Sequence, residues 1–183
     1  MKREAKFYNV FFPVWMVLLV PSPLWLLALP ANYVIDRLVF TVSAKRQRPE
    51  LPGRFFRRHT WKLWLIGLGA DLVGILFLLL PVVAFNLFEP FKGSEVCQEF
   101  VNWLCLYAIG DPWALGYTLL AILLAGYLIY VGDKAILRRT GELDATQAKK
   151  TAWHMAIFTA PYLYLLPAET FQEVVKWLFG LIA

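Results

Sequence analysis

The chain has 183 residues, of which 60% are hydrophobic and only 17% charged, with a net charge of +5 and a mean hydropathy of +0.57. A soluble domain runs nearer half apolar and a quarter charged. These values exclude a soluble enzyme, a nucleic-acid module and a disulfide-stapled mini-protein, and indicate an integral membrane protein.

The first apolar stretch runs from Phe7 to Ala44 and is interrupted by Pro21-Ser22-Pro23. Each proline lacks an amide donor and disfavours helix in the residue before it. The stretch therefore divides into Phe7–Val20, 14 residues with Pro13 inside, and Leu24–Ala44, 21 residues. A bilayer span needs about 20 residues, so the second piece is long enough and the first is short.

Flanking charge sets the expected path. Residues 1–6 carry a net +2, and residues 45–62 carry seven basic residues against Glu50, a net +6. Basic flanks stay cytoplasmic, so an even number of crossings is expected between them. A helical hairpin with the Pro-Ser-Pro tip outside is the simplest solution. The basic linker 45–62 is also expected to contact anionic lipids.

The next expected span is Leu63–Phe88. It leads into residues 89–111, an outer loop with a net charge of −3. Within that loop Val96, Phe100, Trp103 and Tyr107 recur at helical spacing, which predicts an interfacial helix. On that helix Cys97 and Cys105 would lie about 12 Å apart, too far for a disulfide. Gly110-Asp111-Pro112 signals a turn. A span over Trp113–Gly132 follows, with Ala114, Thr118, Ala121 and Ala125 as a close-packing seam. Asp133-Lys134 reads as solvated interface charge. Residues 133–150 carry a net +2 and return to the cytoplasm.

The last expected span is Thr151–Leu166, kinked at Pro161. Pro167 opens an amphipathic helix over residues 168–183, with Phe171, Val174, Val175 and Leu178 on one face and Glu169, Gln172, Glu173 and Lys176 on the other. The inner segments total +10 and the outer ones −4. The expected fold is therefore all-α: one polytopic transmembrane helical bundle of about five spans, with the N-terminus inside the plasma membrane and the C-terminus outside.

Three charged residues are not explained by topology. Asp36 lies nine residues before Lys45, and Asp71 nine residues after Lys62, so their helices place them at similar depth. A carboxylate there costs at least about 2.5 kcal/mol and normally faces the interior with a partner. Arg37 can reach Asp71 or snorkel to the headgroups. Asn32 shares the face of Asp36. Asn32, Asp36, Arg37 and Asp71 are thus the candidate ligand- or ion-binding residues, against the simpler reading of an Asp–Arg pair that sets helix register. His59 and His154 show no metal-ligand spacing, and the chain has no HExxH or GxSxG motif. No catalytic residue, metal or cofactor is expected. The expected function is a non-enzymatic transport or accessory subunit with a buried Asp/Arg centre, working with a partner membrane protein or a second copy. The alternatives are a lipid-modifying enzyme using Asp36 and Asp71, and a homo-oligomeric proton or ion channel.

Overall fold

The computed structural model describes Trp15, Leu19, residues 25–91 and residues 93–180. These residues are helical, with no strand among them. In chain order they form α1 (Trp25–Gln47), α2 (Gly53–Leu87), α3 (Glu95–Leu106), α4 (Pro112–Arg138), α5 (Ala145–Phe158) and α6 (Ala168–Gly180). Short 3-10 turns lie at Ala108–Gly110 and Tyr162–Leu165. Helices α1, α2 and α4 are long and apolar enough to cross a membrane. The Phe7–Val20 piece and the Pro21-Ser22-Pro23 tip lie outside the described residues, apart from Trp15 and Leu19, as do Leu181 and Ile182.

The expected basic linker is mostly helix. Residues 48–52 make the whole connection between α1 and α2, because Pro49 and Pro52 stop one helix and admit the next. The 35 residues of α2 span about 52 Å, more than a hydrocarbon core requires. Its first turns carry the basic residues and are held by aromatic packing. Phe40 on α1 meets Phe55 and Phe56 at ring distances of 5.7 and 5.3 Å.

Helix α4 also exceeds its expected span, running six residues past Gly132. It starts on a side-chain cap, Asp111 accepting from the Ala114 amide at 2.7 Å, with Pro112 in the first turn. The expected seam is present: Ala114, Thr118, Ala121 and Ala125 are all buried. It packs on α2, where a Cβ at Gly74 would lie 3.5 Å from the Ala121 carbonyl.

Helix α3 follows its predicted range, and both cysteines are free thiols. Its packed face is displaced by one position from the expected one. Leu104 is buried while Val96 is 77% exposed, because the helix leans on Tyr117 and Phe85 through Phe100.

The expected last span is broken. Helix α5 begins at Ala145, capped by Asp144 and Gln147 in a reciprocal capping box, and ends at Phe158. Pro161 has no amide to bond the Ile157 carbonyl four residues back. The Tyr162 hydroxyl donates to that carbonyl instead, at 2.6 Å. The chain then turns through Tyr162–Leu165 into α6.

Glycines at the α2–α4 contact generate a prediction. A Cβ at Gly132 would lie 2.5 Å from Ile66 Cγ2, on a branched side chain with little rotamer freedom in a helix. At Gly116, on the same helix, a Cβ meets nothing within 4 Å. Gly132→Ala is expected to cost about 1–3 kcal/mol. Gly116→Ala is expected to add about 0.5–1 kcal/mol through helix propensity. Thermal melting of the two variants in detergent checks the opposite signs.

Candidate functional site

Three acids from three helices enter the packed interior. Asp36 on α1 is 2% exposed, Asp71 on α2 is 8% exposed and Asp133 on α4 is fully buried. Small residues make the space: a Cβ at Gly67 would lie 3.5 Å from Asp36 Oδ2. Gly67, over which Asp36 sits, lies four residues before Asp71 on α2. Asp36 Oδ1, Asp71 Oδ1 and both Asp133 carboxylate oxygens are buried without a hydrogen-bond partner among the described residues.

The expected Asp–Arg pair does not form. Arg37 is exposed, and the ion pair found among the described residues joins Arg48 to Glu50 at 3.7 Å. One position along a helix turns a side chain by about 100°. With Asp36 facing inward, Arg37 therefore points away from the interior. The centre is acidic, and no described cationic side chain pairs with it. Asn32 is half-buried one turn along α1 from Asp36.

Asp133 is the acid that sequence reasoning placed in solvent. Its signal was the seam itself: Ala121, Ala125, Ile129, Asp133 and Leu137 follow at intervals of four, and all are buried. A buried face that continues past the apparent end of an apolar run carries the next charge inward with it.

Two further polar contacts frame the acids. Tyr164 Oη donates to the Asp71 backbone carbonyl at 2.6 Å. Gly74 leaves room for that ring, since a Cβ there would lie 2.9 Å from the hydroxyl oxygen. This bond pins the turn after α5 against α2 beside Asp71. Towards the basic end, Ser43 Oγ and His154 Nδ1 lie 2.7 Å apart and join α1 to α5. Ser43 lies seven residues from Asp36 on the same face of α1, with buried Phe40 between them. Among the described residues, no group of three His, Cys, Asp or Glu side chains is placed to hold a metal ion.

A cavity of about 740 Å³ opens where α5 breaks. Asp71 and Asn32 contribute to its wall. The remainder is largely apolar, from Ile35 and Leu68 to Phe158, Leu163 and Phe171. Away from the centre, burial pushes the Cys105 thiol on α3 up to about 11, so it stays protonated and unreactive at neutral pH.

Comparison of the chain with protein-family models, with curated proteins and with solved structures finds no match.

A buried carboxyl without a partner opposes folding whether it is ionised or holds a proton. Asp36→Asn and Asp133→Asn keep the shape and remove the ionisable group. Each is expected to stabilise the chain by about 1 kcal/mol, read as a melting temperature about 2–4 °C higher. A lower melting temperature for either would mark that acid as a structural element.

Proposed function

We propose that the chain is a multi-pass protein of the plasma membrane that works as a non-enzymatic transport component or accessory subunit. Its working part is the buried centre of Asp36, Asp71 and Asp133, which binds a proton or a cation. The observation that carries this reading is the burial of three carboxylates from three helices with no described cation facing them. Ionisable groups are expensive at membrane depth and typically mark ion or substrate pathways. An arrangement that served only to lock helix register would gain from a paired cation, and Arg37 lies outside it.

The break in α5 supports the same reading. Interrupted backbone at membrane depth is tolerated where it is enclosed by protein or lines a cavity, and transport proteins place substrate sites at such breaks. Here the break, the cavity and Asp71 coincide. The remaining polar groups act as a frame around them.

In this reading five segments cross the bilayer, and the basic ends of α1, α2 and α4 face the cytoplasm with the N-terminus. The C-terminus and α6 lie outside. The broken α5 and its following turn make the last crossing, and α3 lies in the outer interface. The basic segment 45–62 contacts anionic lipids, and a partner membrane protein or a second copy completes the working assembly.

Two measurements test this. In a background where Cys97 and Cys105 are Ser, a membrane-impermeant maleimide should label Glu95→Cys in intact cells. It should reach Glu142→Cys only after lysis, and the reverse pattern would invert the topology. Function is tested in cells whose own copy is deleted. A variant with Asn at positions 36, 71 and 133 should accumulate in the membrane at the wild-type level yet behave as the deletion does. Wild-type behaviour of that variant would remove the acids from function.

A further inference from the structure

We infer that the cavity beside Asp71 is a binding site for a lipophilic organic cation, a positively charged head carried on an apolar body. The inference rests on reading the acids as a ligand centre, and it names the class of ligand.

The cavity volume of about 740 Å³ falls in the range that encloses a drug-sized molecule. Among the described residues of its wall, Asp71 is the charged group. Its side chain is more than nine-tenths buried, and its Oδ1 has no hydrogen-bond partner among the described residues. Asn32 adds an amide able to donate or accept beside it. Aromatic rings at Phe158, Tyr164 and Phe171 contribute to the same wall. A carboxylate with aromatic faces around it is the chemistry that holds an organic ammonium or phosphonium.

Other occupants fit less well. A small inorganic cation needs several oxygen ligands to replace its water, and this wall is mostly hydrocarbon. An anion would be repelled by the Asp71 carboxylate. An uncharged lipid tail would gain little. It is already surrounded by hydrocarbon in the bilayer, and it would leave the buried carboxylate without a partner. A lipophilic cation can reach the site from the bilayer. Its apolar body exchanges one hydrocarbon contact for another, so selectivity comes from the charge.

The test uses the purified full chain in nanodiscs of phosphatidylcholine, with radiolabelled tetraphenylphosphonium as the probe. Tetraphenylborate, nearly the same shape with opposite charge, is assayed in a separate sample, because the two ions pair when mixed. The wild type should bind tetraphenylphosphonium saturably at one site per chain, and radiolabelled tetraphenylborate should show no saturable binding. Asp71→Asn should weaken binding about tenfold or more, as expected for loss of a buried charge partner. Ile35→Trp narrows the cavity from α1 while leaving every acid in place and should weaken binding comparably. Ile35 is 48% exposed, so the larger ring has room to be accommodated. Absence of saturable binding of the cation, equal saturable binding of the anion, or binding that survives Ile35→Trp would each overturn the inference. Those results leave the behaviour of the triple Asn variant in cells unaffected, so this inference and the broader reading fail separately.

Discussion

The close approach of α2 and α4 is the constraint on which the other features depend. Gly74 lies against the Ala121 backbone, and Gly132 lies under Ile66. Helices surrounded by hydrocarbon gain little from burying apolar surface. They associate where small residues let backbones come near enough for dense van der Waals contact. Once α2 and α4 are held this closely, every residue on the shared faces is enclosed, including Asp71 and Asp133. Helix α1 adds Asp36 over Gly67 by the same device. The acidic centre is thus a result of packing chosen at glycine and alanine positions.

The second determinant is Pro161. Helix α5 packs on α1 and α4 and ends before Pro161. The missing amide and the ring of Pro161 stop it, and two tyrosines convert the stop into a defined structure. Tyr162 satisfies the Ile157 carbonyl that proline leaves free, and Tyr164 ties the turn to the Asp71 carbonyl. A cavity results, and the described residues of its wall are largely apolar apart from Asp71 and Asn32. The two apolar clusters of the described residues meet near this level. One contains Ala70 and Phe40, and the other contains Ile75 and Tyr164. Asp71 falls between Ala70 and Ile75 at that junction.

Much of this was legible in the chain. The helical class, the ranges of α3 and α6, the seam on α4 and the inward placement of Asp36 and Asp71 all follow from spacing and hydropathy. The differences between the expected and the observed structure have separate causes. Residues 53–62 are basic yet helical, because Phe55 and Phe56 anchor them on Phe40. Asp133 is charged yet buried, because a packed face outlasts the apolar run that announces it. Arg37 adjoins Asp36 in sequence yet stays apart from it, because neighbouring positions on a helix diverge.

The sequence by itself determined that the chain is helical and suited to a bilayer, where prolines interrupt its helices, and that two acids lie where acids are costly. These properties depend on composition, on proline and on the 3.6-residue repeat, all of which act within one segment. Only the tertiary structure decided that the acids number three, that Arg37 does not neutralise them, and that a cavity opens at Asp71. Those outcomes depend on which faces of separate helices meet and at what height, and close contacts at Gly67, Gly74 and Gly132 settle that across the packed interior.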